Sequence, residues 1–130
     1  MSTFSFPRQE RIKGTIQPAL LFQSGSVMNE YPVSCRFLYV SDADPGLKIL
    51  FAVPKKRFKR AIDRNRIRRQ MHEAWRLNVG PLREQQLNTP GLLLIGLYFQ
   101  SNEQLPYQVL ENKIKLLITR LMKHHETSGR

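Results

Sequence analysis

The residues best suited to binding chemistry lie between positions 54 and 69, in the stretch PKKRFKRAIDRNRIRR. Nine Lys and Arg against a single Asp give this stretch a net charge of +8, out of +11 for the whole chain. Phosphate is the anion that suits such a density of cations, because a planar guanidinium pairs with two phosphate oxygens at once. The stretch therefore predicts a phosphate-binding surface.

A helix from about Arg60 to Leu77, ended by Gly80-Pro81, presents these side chains on two opposite faces. One stripe carries Asn65, Arg69, His72 and Arg76, with Arg66 at its flank, and the other carries Ile67, Met71 and Ala74. Lys55, Lys56, Lys59 and Arg60 precede the helix or begin it, near its partly positive backbone amides. Two interpretations of Asn65 stay open, a phosphate ligand or a residue that bridges or caps its own helix.

Side chains for hydrolytic or metal chemistry are sparse. Asp42 and Asp44 lie in a turn sequence, and Asp63 is surrounded by arginines that would pair with it, so no carboxylate cluster for Mg²⁺ is expected. His72 lies within the cationic stripe, while His124 and His125 fall in a polar end without an obvious partner. We therefore expect no catalytic residue and no metal site in the protein itself.

Length and composition predict one domain over residues 1–130, with flexible ends at 1–7 and 124–130. Cys35 is the single cysteine, which excludes an internal disulfide and makes a small core residue the simplest interpretation. The chain has neither an apolar run long enough to span a membrane nor a signal-peptide pattern at its start. These features predict a cytoplasmic protein with an anionic partner.

The apolar patterns predict six elements in the order αββαβα, an α+β sandwich. A first helix covers Thr15 to Phe22, and Val33 to Val40 and Leu47 to Val53 form two strands joined as a hairpin through SDADPG. The long basic helix follows, and Gly91 to Phe99 is apolar enough for a central strand covered on both faces. An amphipathic final helix carries Lys113, Lys115 and Arg120 on its outer face.

The stretch KKRFKRAIDRNRIRRQMHEAWRLN, residues 55–78, closely resembles the signature of the bacterial ribonuclease P protein component, centred on Arg64-Asn65-Arg66. The match extends to Phe22-Gln23-Ser24-Gly25 at the end of a helix, to Leu38-Tyr39-Val40 in a strand, and to the LLLIGLYF strand. It covers roughly residues 8–123. The resemblance implies a two-layer α/β sandwich similar to domain 2 of ribosomal protein S5, with a left-handed βαβ crossover.

The same resemblance implies two RNA-binding surfaces. The basic signature would bind the catalytic RNA subunit, ribonuclease P RNA, through Lys55, Lys56, Lys59, Arg64, Asn65, Arg66, Arg68 and Arg69, and the charge pattern adds Arg60. A cleft between the first helix and the sheet would take the 5′ leader of precursor tRNA, with Phe22 and Tyr39 as its aromatic residues. The RNA and substrate would hold Mg²⁺ and perform the hydrolysis, and neither a protein partner nor a membrane is implied.

The chain departs from the family pattern at four positions near the cleft: Pro18, Ala52, Pro54 and Phe58. Three other functions of the chain stay open at this point. One is a ribosomal or RNA-chaperone protein that binds RNA without stimulating cleavage, and another is a nuclease that uses histidine. The last is a helix that lies on a membrane surface.

Overall fold

The computed structural model describes the backbone of residues 16–128 and the side chains of residues 19–124. In chain order the elements are α1 Ile16–Ser24, β1 Ser26–Glu30, β2 Val33–Val40, β3 Gly46–Ala52, α2 Ala61–Asn78, α3 Gly80–Leu87, β4 Leu92–Phe99 and α4 Tyr107–Ser128. The segment 1–7 that the sequence predicts to be flexible and the side chain of Pro18 lie outside the described residues. Helix α4 continues to Ser128, beyond position 124 where the sequence predicts a flexible end.

The four strands form one sheet in the order β1-β2-β4-β3. Strand β4 is antiparallel to β2 and parallel to β3, so the predicted hairpin between β2 and β3 is wrong. Seven of the eight β4 residues, all except Tyr98, are buried, and this strongly apolar strand takes a central position between two others. The predicted central strand is confirmed.

The connection between the parallel strands β3 and β4 passes through α2 and α3, which makes a βαβ unit. Strands β3 and β4 are neighbours in the sheet, and the two connecting helices pack on one face of that sheet. The left-handed sense implied by the family resemblance stays a prediction.

The two faces of the sheet are covered unequally. One face, with Cys35, Ile95 and Phe99, packs on α2, α3 and α4 and forms the main core around Trp75. On the other face, Leu92 and Leu94 form a small cluster with Leu21 of α1. The predicted α+β sandwich is confirmed, and the second face keeps open sheet surface beside α1 that can serve as a binding site.

Helix α2 has the two faces that its sequence predicts: Ile67, Met71 and Ala74 are buried, together with Trp75. The predicted stop at Gly80-Pro81 instead begins α3, whose second residue is Pro81. Proline is tolerated in the first turn of a helix because that amide has no intrahelical acceptor. Leu82 and Gln86 of α3 are buried against the sheet.

Cys35 lies fully buried in the main core, as the sequence predicts, and burial raises the pKa of its thiol from 9.0 to about 12. The folded state therefore keeps the proton after the unfolded chain has lost it, and this contribution to the free energy of unfolding declines as pH rises from 9 to 12. We expect the free energy of unfolding of Cys35→Ala to decline less over this pH range than that of the unchanged protein. Denaturant unfolding of both proteins between pH 8 and 11 checks this, and parallel pH curves would contradict it.

Candidate nucleic-acid interface

The basic stretch forms a loop and the first turns of α2, and it places its cations in solvent. Lys55, Lys56, Lys59 and Arg69 are all exposed, and no described residue forms a side-chain hydrogen bond or ion pair with them. No carboxylate among the described residues therefore neutralises these four charges, which remain available to phosphate groups.

Arg64, which the signature assigns to RNA binding, also forms hydrogen bonds within the protein. Its Nη1 donates hydrogen bonds to the carbonyl oxygens of Phe58 and Lys59, at 2.9 and 2.8 Å. Phe58 is buried in the main core. The guanidinium thus joins the basic loop to α2, because the two N–H bonds of Nη1 can each serve one carbonyl oxygen. Arg64 holds the cationic loop in place.

Two other residues of the basic signature are paired within α2. Asn65 accepts a hydrogen bond at Oδ1 from Nη2 of Arg68, as its bridging interpretation predicts, and its role as a phosphate ligand stays a prediction. Arg60, with 76% of its side chain exposed, forms an ion pair with Asp63 at 3.1 Å. The hydrogen bond from Arg60 holds the pKa of Asp63 below its usual value. Asp63 is paired with an arginine, as the sequence predicts.

The loop after β4, residues 100–106, also reaches this surface, and sequence reasoning did not anticipate it. Asn102 accepts a hydrogen bond from Nη1 of Arg57 at 2.9 Å. Gln104 accepts one from Nη1 of Arg66 at 3.4 Å and donates one to Asp63 at 3.2 Å. These contacts join positions 38 to 45 residues apart, and nothing in the sequence around Asn102 or Gln104 indicates a partner.

Phe22 lies beside a pocket of about 230 Å³ on the open face of the sheet. The pocket is lined by Phe22, Ser34, Arg36, Pro54, Lys56, Arg57, Tyr98 and Gln100. The guanidinium carbon of Arg36 lies 4.3 Å from the centre of the Phe22 ring, and the edge of Phe22 meets Tyr98 at 5.7 Å between centroids. Phe22 is 57% exposed, so its ring remains accessible to an unpaired base.

Tyr39, the second aromatic residue predicted for the cleft, lies on the opposite face of the sheet from Phe22. It packs against the main core, and its hydroxyl donates a hydrogen bond to Oε1 of Gln86 in α3 at 3.3 Å. Side chains alternate between the two faces along a strand, and Tyr39 is three residues from Arg36. The structure therefore does not bring Phe22 and Tyr39 together, and the aromatic neighbour of Phe22 is Tyr98.

Gly96 permits this position of Tyr98. A Cβ at Gly96 would lie 2.8 Å from the ring and the hydroxyl oxygen of Tyr98, and 3.0 Å from a methyl group of Leu21. The Tyr98 ring therefore covers the backbone of Gly96 on the open face of the sheet. Burial raises the pKa of Tyr98 above its usual value, and the neutral hydroxyl can donate a hydrogen bond.

We expect Gly96→Ala to displace the Tyr98 ring and to weaken ligand binding at this pocket about threefold to tenfold, since the new methyl group occupies the space of the ring. Binding of a single-stranded oligoribonucleotide, followed by fluorescence anisotropy, measures the effect. Gly80→Ala is the matched control, because a Cβ at Gly80 meets nothing within 4 Å. Equal affinities of the two variants for the oligoribonucleotide would contradict a role of this pocket in binding.

His72 and His124 each contact an aromatic ring. His72 meets Phe51 edge-on with 5.6 Å between centroids, and His124 meets Phe37 at 4.9 Å. The side chain of His125 lies outside the described residues. Within the described part of the chain, no three His, Cys, Asp or Glu side chains come together as a metal site. No described helix has the length and apolar character needed to cross a membrane.

Fold and surface together define a small basic α+β protein with a cationic loop and helix beside an aromatic pocket. The protein-family model described as Ribonuclease P matches residues 6–122. The chain belongs to the ribonuclease P protein family, as the signature in residues 55–78 predicts.

Two curated relatives, each named ribonuclease P protein component and each from a strain of Porphyromonas gingivalis, are 33% and 34% identical to the chain. The matches cover 59% and 58% of this chain, and the chain spans 57% and 56% of the length of these relatives.

Solved structures show the same fold at lower identity. The ribonuclease P protein from Thermotoga maritima aligns with a TM-score of 0.67 at 19% identity, over 85% of this chain and 96% of that one. The protein from Staphylococcus aureus aligns with a TM-score of 0.64 at 14% identity, over 88% and 95% of the two chains.

Proposed function

We propose that this chain is the protein subunit of ribonuclease P and assists, in the cytoplasm, the Mg²⁺-dependent removal of the 5′ leader from precursor tRNA. One observation carries the proposal: four exposed cations form no ion pair with any described residue. They are Lys55, Lys56, Lys59 and Arg69. Such a group lowers the repulsion between phosphates of two RNA molecules and releases their counterions on binding.

In this proposal, two surfaces of the protein bind two different RNA segments. The basic loop and α2 bind ribonuclease P RNA, and the pocket beside Phe22 binds the single-stranded leader by stacking. Lys56 and Arg57 line this pocket and also belong to the basic loop, so one RNA strand can contact both surfaces. The RNA subunit and the substrate would hold Mg²⁺, which would supply the activation of water for hydrolysis.

Cleavage of a 5′-labelled precursor tRNA at low Mg²⁺ tests the proposal. The assay compares the protein alone, ribonuclease P RNA alone, and the two together. Cleavage at the mature 5′ end is expected to be fast only when both are present. Cleavage by the protein alone would favour a histidine nuclease, and RNA binding without stimulation would favour a ribosomal or chaperone-type protein.

A further inference from the structure

The loop between β4 and α4, residues 100–106, contacts the basic surface through two amide side chains, Asn102 and Gln104. Asn102 holds Arg57, which lines the pocket, and Gln104 holds Arg66, which lies on the exposed side of α2. One short loop therefore touches arginines of both proposed RNA-binding surfaces.

The base of this loop is fixed to the sheet. The amide of Gln100 donates a hydrogen bond to the carbonyl oxygen of Pro32 at 2.7 Å, where the chain enters β2. Ser101 is buried, with 3% of its surface exposed, and its Oγ accepts a hydrogen bond from the amide of Glu103 at 3.0 Å. The two amide side chains thus project from an anchored segment, so their oxygens have defined positions.

Asn102 and Gln104 bind their arginines through neutral amide groups and therefore add no negative charge. Arg60 and Arg76 form ion pairs with Asp63 and Glu73, which offset their charge. The amide oxygens of Asn102 and Gln104 also accept hydrogen bonds, but they carry no net charge. An arginine held by an amide keeps more of its attraction for phosphate than one paired with a carboxylate, and fewer of its rotamers must be lost on binding. Arg66 shares some of this attraction with Asp63, which also accepts a hydrogen bond from Gln104.

We propose that Asn102 and Gln104 are positioning residues, which orient Arg57 and Arg66 for contact with RNA phosphates without neutralising them. The proposal rests on the RNA-binding function proposed above. It separates two properties of the loop, the geometry of its acceptor oxygens and their neutrality, and each property can be changed by one substitution.

Neutrality is tested with Asn102→Asp, which retains the acceptor oxygen facing Arg57 and adds a negative charge. We expect affinity of the reconstituted protein–RNA complex for precursor tRNA to fall about fivefold to tenfold at low salt, with a smaller loss at high salt. Asn112→Asp is the matched control, since Asn112 is exposed on α4 and bonds Gln108. Equal losses in the two variants would overturn the role of Asn102.

Geometry is tested with Gln104→Ala and Arg66→Ala, alone and combined, in binding to ribonuclease P RNA. We expect Gln104→Ala to weaken binding about threefold, and to have no further effect when Arg66 is already Ala. A threefold loss that persists in the Arg66→Ala background would show that Gln104 does not act through Arg66. Because Gln104 is exposed, thermal unfolding should change little and serves as the fold control.

The same set of variants separates this inference from the proposed function. If neither Arg57→Ala nor Arg66→Ala weakens RNA binding, both proposals fail at this surface. If the arginine variants weaken binding but the loop variants behave as their controls do, the RNA-binding function stands and the positioning role is overturned.

Discussion

Replacing Lys55, Lys56 and Lys59 by Ala together lowers the affinity for ribonuclease P RNA by about 10²- to 10³-fold at physiological salt. All three lysines are exposed, and no described residue forms an ion pair with them, so each is free to contact a phosphate. A phosphate contact of this kind contributes roughly 1 kcal/mol through counterion release and Coulomb attraction. The slope of log affinity against log salt should also become shallower by about two to three, which a salt titration measures directly.

A variant with the same change of charge on another surface is the control for this experiment. Lys113, Lys115 and Lys123 lie on α4, and replacing them by Ala removes the same three charges. We expect the fold-loss of affinity in this variant to be less than a tenth of the fold-loss in the loop variant. Screening by salt limits the influence of charges outside the binding surface. Equal losses in the two variants would mean that total charge, and not the basic loop, determines RNA binding.

Phe22→Ala reduces the preference of the reconstituted complex for precursor tRNA over mature tRNA by about tenfold or more. Stacking of one unpaired base on an aromatic ring contributes roughly 1–3 kcal/mol, and mature tRNA lacks the leader that would supply the base. Since the ring is 57% exposed, its removal should change the free energy of unfolding little. Equilibrium binding of both RNAs to each complex gives the preference.

Two other aromatic residues show whether this effect is specific. Tyr31 is 66% exposed at the turn between β1 and β2, and Tyr31→Ala should leave the preference unchanged. Tyr39→Ala should instead lower the free energy of unfolding, because its ring packs against the main core and its hydroxyl bonds Gln86. A loss of preference in Tyr39→Ala as large as in Phe22→Ala would refute the assignment of the leader site to the open face of the sheet.

Local patterns predicted six of the eight elements in the described part of the chain. Strand β2 has its predicted bounds, Val33–Val40, and α2 runs over Ala61–Asn78, within a residue of the prediction at each end. Strand β1, SVMNE, was missed because it is a short edge strand with one buried side chain, Met28. Helix α3 was missed because its Gly-Pro start is also a common stop signal.

Strand pairing and site geometry depend on contacts that no local pattern contains. The turn residues of SDADPG fit a hairpin, but β4 lies between β2 and β3. The exposed cations were predicted from the local charge density and the helical spacing, because unpaired charge must face solvent. The tertiary partners of Arg57 and Arg66 were not predicted, because they come from a loop 38 or more residues away in sequence. The pairing of Phe22 with Tyr98 likewise follows from the fold and from Gly96.

The two hydrogen bonds from Arg64 to main-chain carbonyls have a consequence for how the protein and an RNA find each other. They join Phe58 and Lys59 of the basic loop to α2 before any ligand arrives, so the distance between the backbones of Lys59 and Arg69 is set in the free protein. The conformational entropy of the loop is lost during folding and is not lost again during association. Under the proposed function, such a surface would bind a folded RNA whose phosphates already have the matching spacing more tightly than a flexible single strand of equal charge.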